Sequence, residues 1–280
     1  MHAACGSRPA RPRCRVLSDL GELTDDALAG PYRVLQRRRG HRYSFDDVVT
    51  AWEAARARPE ARSYADLGCG LGSVLLMVAY KLPREARLAA VEAQEQSARL
   101  ARENVARNGL AERVRLVHGD LRAPDLLASL GGERFELVTG TPPYLPPSSG
   151  SPSTDAQRTY ARLEMRGGVE EYVRAAAGVL APGGRFVVCC DARRPERVRE
   201  AAREAELALE RCREVMPRAG HKGPLFTVWT LSRERAEPIV EPPLVLRDEG
   251  GARTAEAHAL RRFFDLPVNE AEPPSPGARA

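Results

Sequence analysis

From residue 62 onward, the hydrophobic positions of the chain alternate between two patterns. Short apolar runs, typical of buried strands, are separated by segments in which apolar residues recur every three or four positions, as on one face of a helix. The runs that predict strands lie at 64–67, 88–91, 114–117, 135–138, 185–190, 209–216 and 225–231. The segments that predict helices lie around 48–55, 74–78, 98–105, 169–180 and 196–204.

This alternation predicts an α/β fold with a doubly wound, mostly parallel sheet of seven strands. The last two strands are joined too tightly for a crossover, so we expect them to pair antiparallel, as a final hairpin. Residues 1–30 are interpreted as a tail, 31–268 as one domain with an N-terminal lid segment, and 269–280 as a disordered Pro-rich tail. The Ser/Pro/Gly-rich stretch 145–158 is expected to be a mobile loop.

Composition narrows the class of protein. Hydrophobic residues make up 43% of the 280 positions, and no run reaches the ~18 apolar residues of a membrane helix. The net charge of +5 suits a polyanionic partner, but all but two of the 43 basic residues are arginines, a bias that a GC-rich genome also produces. The six cysteines form no Cys-x-x-Cys pair and have no histidine cluster beside them, so we expect no metal site and a reducing, cytoplasmic setting.

A glycine-rich turn led by a carboxylate follows the first predicted strand of the sheet. Asp66 precedes Gly68, Gly70 and Gly72, and glycines at such a turn let backbone N–H groups approach a ligand closely. The spacing differs from the dinucleotide pattern G-x-G-x-x-G, and an acid at the strand end would repel a diphosphate. S-adenosylmethionine, which carries a sulfonium and an ammonium, is attracted by an acid there.

Two further acids follow the next two predicted strands. Glu92 lies where a carboxylate can accept both ribose hydroxyls of a nucleoside, and Asp120 is positioned to accept from an adenine amino group. Either acid alone could be a solvated charge at a strand end. Three acids at successive strand ends favour a cofactor site.

The fourth predicted strand runs into the turn Thr141-Pro142-Pro143-Tyr144. Two acceptors, the Pro142 carbonyl and the Thr141 hydroxyl, can hold both N–H bonds of a planar amino group. Proline offers no competing N–H and stiffens the carbonyl direction. The ring of Tyr144 offers a face for stacking. The alternative is a Pro-rich turn with a packed tyrosine, but the position after an acid–glycine turn favours N-methylation.

These motifs resemble class I S-adenosylmethionine-dependent methyltransferases of the methyltransferase small domain group. Within that group, the chain is similar to tRNA (adenine-N6)-methyltransferases that modify the base next to the anticodon of valine tRNA. The resemblance spans roughly residues 32–265. Within this range, beyond the glycine turn and the prolyl turn, the matching segments are 43–48, 161–164, 182–184 and 245–254. It implies a Rossmann-like fold, S-adenosylmethionine as the cofactor, and catalysis by the prolyl turn.

The resemblance also implies roles for individual residues. It places cofactor contacts at Asp66, Gly68, Glu92 and Asp120, and a part in the cofactor lid at Asp46. Arg162 and Glu164 are either groups that order the loop over the substrate or the surface start of a helix. One position departs from the family, which usually has Asn where this chain has Thr141; a hydroxyl is a weaker acceptor than a carboxamide oxygen.

Three functions stay open at this point. The preferred one is methylation of adenine N6 in structured RNA, above all tRNA, with no membrane partner. The second is methylation of a protein glutamine, as in release-factor methyltransferases, and the third is a non-catalytic partner subunit with the same fold. The arginine cluster 37–42 and the turn 221–223 are either phosphate contacts or solvated surface. The sequence does not indicate an oligomeric state.

Overall fold

A computed structural model describes residues 19–148, 155–234 and 237–268. The predicted tail 269–280 and residues 149–154 of the predicted loop 145–158 lie outside the described residues. The strands are β1 (Leu23–Ala29), β2 (Tyr32–Arg37), β3 (Ser63–Leu67), β4 (Arg87–Glu92), β5 (Val114–His118), β6 (Phe135–Gly140), β7 (Leu180–Asp191), β8 (Ala208–Met216), β9 (Phe226–Ser232), β10 (Ile239–Val240) and β11 (Leu244–Val245). The helices are α1 (Phe45–Ala57), α2 (Ser73–Lys81), α3 (Glu95–Arg107), α4 (Leu126–Ser129), α5 (Ala156–Arg162), α6 (Val169–Val179), α7 (Pro195–Glu204) and α8 (Ala255–Phe263).

The central sheet confirms the predicted doubly wound α/β architecture. Its long strands lie in the order β8-β9-β7-β6-β3-β4-β5. Strands β3 to β7 pair parallel with their neighbours, whereas β9 pairs antiparallel with both β7 and β8. The predicted final hairpin is therefore confirmed. The two short strands β10 and β11, which the sequence did not predict, both pair with β8.

The sheet has a hydrophobic core on each face. Successive side chains of a strand point to opposite faces, so in β7 Val187 packs into the core beneath α1, α2 and α3, while Val188 packs into the core beneath α4, α6 and α7. Because both faces are covered, the parallel strands are continuous apolar runs. Their carboxyl ends meet at one edge of the sheet, where the acids and the prolyl turn lie.

The N-terminal part of the chain differs from the prediction. Residues 19–30 were assigned to a tail, but β1 pairs antiparallel with β2. The hairpin is fixed to α3 by Asn104, whose Oδ1 accepts from the Leu35 N–H at 2.7 Å and whose Nδ2 donates to the Leu35 carbonyl at 3.0 Å. This contact between distant segments has no signature in the local pattern, which explains the error.

Candidate active site

The glycine turn between β3 and α2 has the backbone conformation that its sequence predicts. Gly68, Gly70 and Gly72 have φ of +62°, +56° and +87°, the left-handed region that favours glycine. A Cβ on Gly68 would lie 2.1 Å from the hydroxyl oxygen of Tyr172, whereas a Cβ on Gly70 would have open space around it. The packing of α6 therefore requires glycine at position 68. At Gly70 no protein atom occupies the space that a side chain would fill.

A first cavity of about 870 Å³, including the part open to solvent, lies beyond the carboxyl ends of β3, β4 and β5. Four of the residues predicted to bind the cofactor line it: Gly68, Gly70, Glu92 and Asp120. Thr141 and Pro143 of the prolyl turn form another part of its wall.

Glu92 and Asp120, two of the acids that line the first cavity, differ in their surroundings. Glu92 accepts from the N–H of Gly70 at 2.8 Å and from the N–H of Gln94 at 2.7 Å, which joins the ends of β3 and β4. Burial raises the pKa of Glu92, and these N–H bonds oppose the rise. Asp120 instead pairs with Arg122 at 2.6 Å, and the hydrogen bonds from that guanidinium lower the pKa of Asp120.

Three of the predicted cofactor residues do not line this cavity. Asp66 is 1% exposed and lies behind the glycine turn, where it accepts from the Thr139 hydroxyl at 2.7 Å and the Leu75 N–H at 3.1 Å. Burial raises its pKa to about 7. Gly72 precedes α2 as its N-cap. Asp46, at the start of α1, faces a second cavity on the other side of the prolyl turn.

The second cavity is larger and more open, with a volume of about 1640 Å³ including solvent-exposed space. Pro142 and Tyr144 line it, together with arginines from several segments. The walls common to the two cavities are formed by His41, Asp47, Thr141, Pro143 and Ala161. The prolyl turn therefore lies at the boundary between two spaces rather than within one.

Tyr144 is held in this boundary by a long-range contact. Its hydroxyl donates to the Asp46 carboxylate at 2.5 Å. Burial, followed by the neighbouring Cys189 and Asp46, raises the pKa of Tyr144, so the hydroxyl keeps its proton and remains a donor. The ring is half-buried and packs against one edge of the core while still lining the second cavity.

Sequence reasoning missed Asp47 and Tyr172. Asp47 is buried, and its carboxylate accepts from the Ser44 N–H at 3.0 Å as part of a capping box. Burial and the nearby Asp46 raise its pKa. The Ser-x-x-Asp spacing before an apolar segment is a signal for this cap. It does not indicate that Asp47 lies between two cavities. Tyr172 has no local signal, because only the packing of α6 brings it beneath the glycine turn.

Comparison with known proteins identifies the family. A family model described as methyltransferase small domain matches residues 52–216, more than half of the chain. The chain belongs to this methyltransferase family. Its cofactor is therefore S-adenosylmethionine.

Curated relatives of this methyltransferase include tRNA methyltransferases and release factor methyltransferases. It is 32% identical over 185 residues to a tRNA1(Val) (adenine(37)-N6)-methyltransferase of Porphyromonas gingivalis, covering 65% of this chain and 71% of the relative. A protein of the same name from Tolumonas auensis is 26% identical over 236 residues, with 84% and 94% covered. A release factor glutamine methyltransferase of Moorella thermoacetica is 33% identical over 165 residues, covering 56% of each chain.

Solved structures support the fold. The solved structure of a predicted O-methyltransferase from Agrobacterium tumefaciens has a TM-score of 0.61 at 19% identity, covering 81% of this methyltransferase and all of that chain. A type I restriction-modification methyltransferase subunit from Streptococcus thermophilus has a TM-score of 0.56 at 18% identity, covering 80% of this chain and 53% of that one. At these identities the likeness shows the Rossmann-like methyltransferase fold alone.

The residues of the first cavity fit a cationic nucleoside cofactor. Gly70 leaves open space where a side chain would stand, and the Glu92 carboxylate has acceptor capacity beyond its two N–H bonds. Asp47 adds a third carboxyl group to the wall. Within residues 19–148, 155–234 and 237–268, no helix is long and apolar enough to span a bilayer, and no cluster of three His, Cys, Asp or Glu could hold a metal.

Proposed function

We propose that this methyltransferase methylates an exocyclic amino group, adenine N6 in tRNA or another structured RNA. The observation that carries the proposal is the position of Thr141 and Pro143, which line both cavities. The first cavity holds the cofactor, which when bound supplies an electrophilic methyl group. The second cavity is open enough to admit a nucleotide extruded from its stack. The target amino group then meets the methyl group at the turn.

In this proposal the turn positions the nucleophile and does not deprotonate it. The Pro142 carbonyl and the Thr141 hydroxyl accept the two N–H bonds of the amino group, which keeps its lone pair directed at the methyl group. The ring of Tyr144 stacks on the base, with its orientation supported by the bond to Asp46. The alkylated nitrogen is acidic enough to release its proton to water. Thr141 takes the position of the family's usual Asn as a smaller acceptor.

Glutamine methylation is the second candidate, because a release factor glutamine methyltransferase is among the relatives. A side-chain amide also presents two N–H bonds, so the prolyl turn suits either acceptor. Of the arginines that line the second cavity, Arg158 and Arg162 have no carboxylate partner among the described residues, which favours the nucleic acid. A glutamine side chain carries no charge that would need them.

The test is methyl transfer from labelled S-adenosylmethionine to two substrate pools, total RNA lacking the modification and total protein. We expect label in small RNA and N6-methyladenosine in nucleoside mass spectrometry. Label confined to protein would instead favour the glutamine acceptor. A protein that binds no S-adenosylmethionine at all would support a non-catalytic subunit.

A further inference from the structure

Three arginines next to the second cavity have no acidic partner among the described residues; we call Arg39, Arg158 and Arg162 the arginine ridge. All three side chains are exposed. Two neighbouring arginines do have acidic partners: Arg37 pairs with Asp155 at 2.7 Å, and Arg42 pairs with Asp26 at 3.0 Å. The sequence-predicted cluster 37–42 is thus largely neutralised within the protein. The unneutralised charge lies on Arg39 and α5.

The ridge is held in place by buried polar contacts. Asp155 caps α5 by accepting from the Arg158 N–H at 3.0 Å, and the same carboxylate pairs with Arg37. Gln157 is fully buried; its Oε1 accepts from the His41 N–H at 3.3 Å and its Nε2 donates to Ser97 at 3.2 Å. These bonds dock α5 onto the segment that follows β2 and onto α3. Arg39 and Arg158 consequently line one open surface pocket together.

The ridge is also fixed relative to the prolyl turn. Leu145, which directly follows Tyr144, donates its N–H to the Arg162 carbonyl at 3.2 Å. The Leu145 carbonyl accepts from the Glu164 N–H at 2.9 Å. The end of α5 and the catalytic turn therefore form one hydrogen-bonded unit. A ligand bound by the ridge has a defined position relative to Tyr144.

The spacing of Arg158 and Arg162 is unfavourable for the protein alone. Residues four apart lie on one face of a helix, so the two like charges repel each other. Their field reaches the site, because the pKa of His41 is lowered by burial and further by both of these guanidiniums, against the opposing effect of Asp46. An external anion would relieve this repulsion. The rise between the two residues, about 6 Å along the helix axis, lets them reach neighbouring phosphates of one strand.

We infer that the arginine ridge binds the sugar–phosphate backbone of the RNA beside the target nucleotide. Arg158 and Arg162 contact neighbouring phosphates, and Arg39 extends the contact past the end of β2. This inference rests on the proposed function, since it assumes an RNA acceptor in the second cavity. The ridge then supplies affinity for the RNA backbone, and the prolyl turn selects the base.

The test compares the salt dependence of binding to an unmodified tRNA transcript, measured by fluorescence anisotropy. Each phosphate contact contributes about 0.7 to 0.9 to the slope of log K against log salt. We expect Arg158→Gln/Arg162→Gln to reduce the slope by about 1.4 to 1.8 and to weaken binding on the order of 10- to 50-fold near 0.1 M salt. Arg158→Lys/Arg162→Lys should retain most of the slope, because it keeps both charges.

The matched control is Arg84→Gln/Arg203→Gln, which removes two exposed arginines at the opposite edge of the sheet. It should leave the slope at the wild-type value. Thermal melting of the ridge variant checks its fold, and no loss of Tm is expected because a repulsion has been removed. If wild type methylates RNA but the ridge variant and the control have equal slopes, the ridge is not the backbone contact although the proposed function stands. If wild type labels only protein, both fail.

Discussion

At the scale of single residues, Tyr144 and Asp46 illustrate how the site is assembled. They are 98 positions apart, and their hydrogen bond joins the prolyl turn after β6 to the start of α1. The Ser44 hydroxyl donates to the same Asp46 carboxylate, which fixes the acid in turn. The orientation of the Tyr144 ring therefore depends on α1, a helix outside the prolyl motif.

Substitutions at Tyr144 should separate stacking from orientation. Tyr144→Ala removes the ring, and we expect kcat/KM to fall about 10- to 100-fold, the value of one base–aromatic stack. Tyr144→Phe keeps the ring and loses the bond to Asp46, so its loss should be smaller. Calorimetry should find S-adenosylmethionine binding within about twofold of wild type in both variants. Full activity of Tyr144→Ala would contradict the stacking role.

The buried carboxyl of Asp66 makes stability depend on pH. Burial raises its folded-state pKa from 3.8 to about 7, so the folded protein binds an extra proton between these values. The stabilisation is fully present below pH 3.8 and is lost as pH rises through about 7.

Urea unfolding of wild type and Asp66→Asn at several pH values tests whether Asp66 makes stability depend on pH. Between about pH 5 and 8, the unfolding free energy of wild type should fall by roughly 2–3 kcal/mol relative to the variant. Asp265→Asn is the control, because hydrogen bonds from Tyr80 and Lys81 lower the pKa of Asp265, which places its effect below this pH window. Parallel pH profiles for wild type and Asp66→Asn would show that Asp66 is charged throughout.

At the scale of elements, the turn between β3 and α2 is shaped by α6 as well as by its own glycines. Gly68 and Gly140, at the ends of adjacent strands, both lie against Tyr172, and a Cβ on Gly140 would be 2.6 Å from its ring. The tyrosine of α6 thus occupies the space that these two glycines leave. Gly70 lies in the same turn without such a neighbour.

Gly68→Ala and Gly70→Ala form a matched pair. Both replace a glycine with positive φ, which costs about 1 kcal/mol of backbone strain. Only Gly68→Ala adds a clash with Tyr172, so we expect it to lose about 2 kcal/mol or more beyond Gly70→Ala in chemical denaturation. Gly70→Ala should instead weaken cofactor binding, since its methyl group enters space next to the first cavity. Equal stabilities would mean that α6 moves to accommodate the methyl group.

At the scale of the whole molecule, a buried ion network joins the two ends of the domain. Arg213 on β8 is 8% exposed and pairs with Glu53 of α1 and, at 3.2 Å, with Glu241. It also donates to the Pro242 carbonyl at 2.7 Å. The network ties the last part of the sheet to α1, whose first turn carries Asp46 and Asp47.

Arg213→Met should be strongly destabilising. It removes the close partner of the buried Glu53, which keeps only a 3.6 Å contact with Arg56, and we expect a loss of about 3 kcal/mol in the free energy of unfolding. Adding Glu53→Gln to that variant should restore part of the loss. Arg174→Met, which breaks an exposed pair with Glu171, should cost less than about 1 kcal/mol. A cost below 1 kcal/mol for Arg213→Met would show that water reaches the network.

The sequence by itself determined the order of the elements and the place of the motifs. The predicted strands and helices, the glycine turn, and the acids at the carboxyl ends of β4 and β5 depend on neighbouring residues, and each lies where its pattern predicts. The same holds for the prolyl turn, because a parallel sheet brings the carboxyl ends of its strands to one edge.

Only the tertiary structure decided which side chains meet. It turned Asp66 inward behind the glycine turn, put Asp47 between the two cavities, and brought Tyr172 beneath Gly68. It also folded residues 23–29, predicted as a tail, into a hairpin on α3 and docked α5 beside the prolyl turn. These contacts join segments far apart in the chain, and such pairings follow from the packing of whole elements rather than from any local pattern.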